Sequence, residues 1–173
     1  MTSNGPSTSM KERHLAHEYR ATVKWRREGD AKFTDQRYSR GHTWSFDGGV
    51  TVPASSSPLS VRLPYSVAEA VDPEEAFVAA VASCHLLTFL YVAAKRGYAV
   101  DSYADEAVGE MTKNERGKLW VSKVILSPAI AFTGEPRPSR EQFEELHHLA
   151  HEECFIANSV KSEVVVQGAM SFA

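Results

Sequence analysis

Between residues 18 and 25, in "EYRATVKW", Tyr19, Ala21, Val23 and Trp25 alternate with Arg20, Thr22 and Lys24. A period of two marks a half-buried strand. A turn at "REGD" follows, then a second extended stretch in "QRYSRGHTWSF" that closes at Asp47 to Gly49, and "LSVRLP" is read as a third strand after a loop at "VPASSSP". Farther on, "SYADEAVGEMT" and "LWVSKVILSPAIAF" read as two strands of a hairpin turning at "KNERGK", and "SEVVVQGAMSF" as a closing strand.

Two segments break this rhythm. From Asp72 to Gly97 apolar residues surround the helical wheel, which predicts a central helix covered on most sides. Its ends are well punctuated: Asp72 as N-cap, Pro73 in the first position, Glu75 three residues past the cap, Lys95 and Arg96 in the last turn and Gly97 as the stop. Such a helix is about 35 Å long, and a partner subunit is expected to help cover it. A second helix starts at Ser139, with Gln142 completing a capping box, and its apolar face runs through Phe143, Leu146 and Ala150 to Cys154. The order of three strands, long helix, two strands, helix and strand predicts an α+β fold rather than a parallel alternation.

The chain has 173 residues, 43% of them apolar, so one domain over residues 13–173 can bury a core without staples. Residues 1–12 are small and polar and read as a disordered leader. Lys and Arg number 19 against 22 Asp and Glu, which leaves no electrostatic case for nucleic acid or an anionic membrane. The N-terminus lacks the apolar run of a secretory signal, and Ser83, Cys84, His85 and Thr88 interrupt the long helix. A cytoplasmic protein is expected. In a reducing compartment its two cysteines are inert core residues or chemically active ones.

The segment "DPEEAFVAAVASC", whose cysteine is followed after 69 residues by that of "ECFIANSVKSEV", resembles the OsmC/Ohr family of osmotically inducible and organic hydroperoxide resistance proteins. In that family an acidic or amide residue, Pro and Glu open the central helix. A reactive cysteine lies ten residues past the Glu, and a second cysteine comes later. The matching positions are Glu74, Cys84 and Cys154. The resemblance covers roughly residues 18–168 and implies an intertwined homodimer of antiparallel sheets and two main helices. It also implies thiol peroxidase chemistry in a stress or detoxification role, with no cofactor. Cys84 is the peroxidatic thiol that takes oxygen from an organic hydroperoxide, and Cys154 resolves the sulfenic acid as a disulfide. An external thiol then reduces it, a lipoyl-bearing protein in the Ohr branch.

A thiol in an apolar helix has its pKa raised, whereas the reaction needs thiolate, so a cation must approach Cys84. The resemblance assigns this role to an arginine shortly before the central helix, which is Arg62 here, with Arg20, Arg37 and Arg40 as substitutes. Ten residues of helix set Glu74 about 15 Å and about 80° from Cys84. If Glu74 serves the site it reaches the cysteine of another subunit, so each active site is composite.

Two other readings stand beside this one. "HHLAHEEC" puts His147, His151 and Cys154 on one helical face as three zinc-capable ligands, with His14, His17 and His42 as further candidates. A non-catalytic ligand-binding dimer keeps the fold and leaves both cysteines idle. His85 points about 100° from Cys84 and is expected to be a core or interface histidine rather than its base.

Overall fold

The computed structural model describes residues 17–29 and 32–173. The expected leader, His14 and the end of the first turn at Asp30 lie outside the described residues. Nine strands form three three-stranded sheets around two helices.

The first sheet is an antiparallel meander of β1 (Ala21–Lys24), β2 (His42–Phe46) and β3 (Thr51–Ala54). Here the structure corrects the sequence reading. The third strand is "TVPA", and "LSVRLP" is an exposed loop. Pro53 in the strand argued against it, because proline lacks a ladder donor. However, β3 lies at the edge of its sheet, where Pro53 faces Thr43 of β2 and its carbonyl accepts from Val71 N–H at 3.1 Å. Ala54 and Ser55 then meet Val71, with Ser55 N–H donating to Val71 O at 3.1 Å. That bridge ties the meander to the start of the long helix.

Helix α1 (Pro73–Lys95) has the predicted cap. The Glu75 N–H donates to Asp72 Oδ1 at 2.8 Å and the Asp72 N–H donates to Glu75 Oε2 at 3.2 Å. Such a cap contributes about 1 kcal/mol. Gly97 adopts φ +82°, where an L side chain is strained, and so ends the helix. Helix α1 is long and apolar enough to cross a membrane, but it packs on α2 (Arg140–Glu152) and three strands as the central helix of the fold. Its cover within one protomer is partial: Leu87 is 63% exposed and Tyr91 65%.

The expected hairpin is in fact four strands: β4 (Ala99–Asp105), β5 (Val108–Lys113), β6 (Leu119–Leu126) and β7 (Pro128–Thr133). Short breaks at 106–107 and Ser127 split each long run, so β4 pairs with β7 in one sheet and β5 with β6 in another. The imperfect alternation of these segments was the mark of that split. The closing strand likewise divides into β8 (Glu163–Val166) and β9 (Ala169–Phe172), which join β6 and β7 in parallel after the crossover through α2.

Two apolar clusters result. One half of α1 packs through Val81 on Val124 and Leu126 of β6. The other packs through Phe89, Val92 and Ala93 on β7 and on Phe143, Leu146 and Ala150 of α2. Cys84 and His85 fall at the junction of the two.

Candidate redox site at the helix junction

Cys84 is half-buried in the middle of α1, and Thr88 Oγ1 donates to its carbonyl at 2.9 Å. Cys154 is 1% exposed. It lies past the end of α2 rather than on it, since the helix stops at Glu152 with Glu153 as C-cap. The turn that follows is tightly tied. Asn158 N–H donates to Cys154 O at 3.0 Å, and Asn158 Nδ2 donates to Glu152 O and Cys154 O at 2.7 and 3.1 Å.

This turn faces α1 with successive backbone amides. Ile156 N–H donates to Cys84 Sγ at 3.5 Å, and Ala157 N–H donates to Cys154 Sγ at 3.4 Å. The two thiols are free and lie beside one another, each facing a backbone amide of the same turn. Burial pushes the Cys154 thiol up, and the Cys84 side chain adds to that through its hydrogen bond and its charge, while the Ala157 and Ile156 amides pull the other way. Of the two residues, Cys84 is half-buried and Cys154 fully buried, with its thiol pushed up.

Glu74 stands in the first turn of α1, three helical turns from Cys84, half-buried at the rim of two cavities of about 730 and 440 Å³. Arg40 lines the smaller of them with Glu74. Arg62 is exposed in the loop before α1, and its guanidinium has no hydrogen-bond partner among the described residues. Arg20 pairs with Glu18 at the surface and Arg37 with Tyr65 Oη. Among the described residues no arginine hydrogen-bonds to either sulfur within the protomer.

His85 is buried, as expected, and its partner is a side chain that sequence reasoning did not connect to it. His85 Nε2 and His147 Nδ1 lie 3.0 Å apart, their rings stacked with centroids 5.3 Å apart. Burial first, and the charge of His151 second, bring His85 down to about 4; burial, His85 and Arg140 bring His147 down to about 3. The pair is neutral at pH 7. The signal was present in the sequence, because His85 lies on the buried stripe with Val81, Phe89 and Val92, and His147 on that with Phe143, Leu146 and Ala150. This contact also takes His147 Nδ1 out of the expected zinc set. Among the described residues no three His, Cys, Asp or Glu side chains cluster so as to hold a metal ion.

Comparison with known proteins adds to this geometry. The OsmC-like protein family profile matches residues 66–168. An OsmC-like protein of unknown function from Vibrio cholerae is 54% identical over 89% of this chain and 100% of its own, with a TM-score of 0.86. The fold is shared at much lower identity with two hydroperoxide resistance proteins. One, from Elizabethkingia anophelis, is 17% identical, covers 92% of this chain and 99% of its own, and has a TM-score of 0.65. The other, from Bacillus subtilis, is 18% identical, covers 90% and 98%, and has a TM-score of 0.57. No curated protein matches the chain.

Proposed function

Because this chain belongs to the OsmC-like family, whose members are dimers, we propose that it is a two-cysteine peroxidase that reduces organic hydroperoxides. The observation that carries this reading is the pair of free thiols side by side under two successive amide donors, one residue half-buried and one buried.

The Cys84 thiolate attacks the distal oxygen of the hydroperoxide, the O–O bond breaks, and the alkoxide leaves with a proton as alcohol. Cys84 is then a sulfenic acid. The Cys154 sulfur attacks the Cys84 sulfur, the hydroxyl departs as water, and a disulfide joins the two. The adjacency of the two thiols in the resting state makes this condensation intramolecular and fast. A dithiol from outside, of the lipoyl type, exchanges with the disulfide and restores both thiols. Two free cysteines fit a chain working in the reducing cytoplasm.

The cation and the carboxylate come from the other subunit. Glu74 stands three turns from its own Cys84, and the exposed Leu87 and Tyr91 give α1 an apolar face for a second copy. Arg40 is favoured over Arg62 as the thiolate's partner, because it shares a cavity with Glu74. A guanidinium there stabilises thiolate and polarises the peroxide.

The test is consumption of an organic hydroperoxide in the presence of dihydrolipoamide. Turnover is expected in the wild type. Cys154→Ser is expected to stop after one equivalent with a Cys84 sulfenic acid that dimedone captures. Wild-type protein that consumes no hydroperoxide contradicts the reading.

A further inference from the structure

The cavity of about 440 Å³ lies between the β1–β3 meander and the start of α1. One wall is built from aromatic rings. Phe33 and Tyr38 stack with centroids 4.5 Å apart, and Trp25 meets Tyr38 edge-on at 5.4 Å and Phe33 at 5.8 Å. Trp25 Nε1 donates to Ser39 O at 2.8 Å, which fixes the indole. The rings nevertheless remain open, with Trp25 41% and Phe33 47% exposed. Aromatic surface held rigid and left uncovered beside a cavity is surface suited to another ring.

The rest of the lining is polar and underused. Ser56 Oγ is buried without a hydrogen-bond partner. Arg40 lies flat on Tyr38 at 3.9 Å, and its Nη1 is held by Gln36 O and Tyr38 O at 2.6 and 2.5 Å. Its Nε and Nη2 donate to no acceptor among the described residues, and the Glu74 carboxylate accepts no hydrogen bond among them. Open Trp25 and Phe33 rings beside unsatisfied donors and acceptors suit a ligand with an aryl body and a small polar oxygen group.

We propose that Trp25, Phe33 and Tyr38 form an aryl-binding subsite, which makes aryl hydroperoxides the preferred substrate class. The proposal rests on the peroxidase reading for its consequence in turnover, but not for binding itself. In the composite site the aryl ring stacks in this box while the peroxide reaches past Arg40 to Cys84 of the partner subunit. A purely aliphatic hydroperoxide fills the same space without ring contacts and is held less well.

Binding is measured on the full chain with 2-phenyl-2-propanol, the alcohol left by an aryl hydroperoxide, by isothermal calorimetry and tryptophan fluorescence, against tert-butanol. Saturable binding of the aryl alcohol alone is expected, weakened about tenfold in Phe33→Leu, which keeps apolar bulk and removes the ring. In turnover, the ratio of kcat/KM for cumene hydroperoxide to that for tert-butyl hydroperoxide is expected to fall about tenfold in the same variant. Aryl alcohol binding with no peroxide turnover supports the subsite and removes the peroxidase reading. Turnover with no saturable aryl binding, or with a ratio unchanged in Phe33→Leu, overturns the subsite and leaves that reading standing.

Discussion

Cys84 on the central helix and Cys154 just beyond the second helix meet beneath one turn, whose Ile156 and Ala157 amides each donate to one of the sulfurs. A core packed only for apolar contact has no need for two free thiols aligned with two polar donors. Cys84→Ser is therefore expected to lower kcat/KM for hydroperoxide by about a thousandfold or more, since an alcohol is a far poorer nucleophile than a thiolate. Hydroperoxide consumption under excess dithiol measures this. A loss below tenfold contradicts the assignment.

The proposed composite sites make a prediction that folding defects do not mimic. Homodimers of Cys84→Ser and of Glu74→Gln are each expected to be nearly inactive. In the mixed dimer one site of the two combines wild-type Cys84 from one chain with wild-type Glu74 from the other, so a 1:1 mixture, half of it mixed dimers, is expected to recover up to about a quarter of the wild-type rate. If Glu74 acts on its own chain, no mixture recovers activity.

The apolar face of α1 predicts the contact surface of the proposed dimer. Leu87 and Tyr91 are one turn apart and both largely exposed in the protomer. The double variant Leu87→Asp, Tyr91→Glu is expected to shift the mass found by light scattering from dimer to monomer. Unchanged mass places the interface elsewhere.

The neutral His85–His147 pair gives stability an acid limit. Both groups are held below the ordinary value of 6.5, at about 4 and about 3. Below pH 6.5 the unfolded chain takes up protons that the native state refuses, so stability present above pH 6.5 is lost as pH falls toward 4. The loss is expected to reach roughly 6 kcal/mol between pH 7.5 and pH 4, about half from each histidine. Urea unfolding across that window measures it, and a His85→Phe, His147→Leu double variant is expected to show a flatter profile. A wild-type profile flat over that window contradicts the prediction.

Gly168 guards the same pair. A Cβ there would stand 2.4 Å from His147 Nε2 and 3.1 Å from Phe143 Cζ, and ring atoms cannot swing aside as a chain end can. Gly168→Ala is expected to cost about 2 kcal/mol. Gly48→Ala, which meets nothing within 4 Å, is expected to change the melting temperature little.

Much of this was legible because it is written locally. The caps of α1 and α2 depend on residues three positions apart, so Asp72 with Glu75 and Ser139 with Gln142 announced both helices. The order of Glu74, Cys84 and Cys154 carried the family. What stayed hidden depends on chain path. Pro53 concealed an edge strand, and Glu106 with Ala107 broke a strand by geometry that periodicity does not record. The contact of His85 with His147 joins residues 62 positions apart, and neither side chain names its partner. Arg40 entered as one substitute among three, because only the folded meander brings it to the cavity of Glu74.

The central claim is that Cys84 and Cys154 form one redox pair. Purified, fully reduced protein treated with one equivalent of cumene hydroperoxide per chain, quenched with an alkylating agent, digested and analysed by mass spectrometry tests it directly. The account predicts loss of both free thiols and a disulfide-linked peptide pair containing Cys84 and Cys154. Two fully alkylated cysteines after exposure to the peroxide would contradict it.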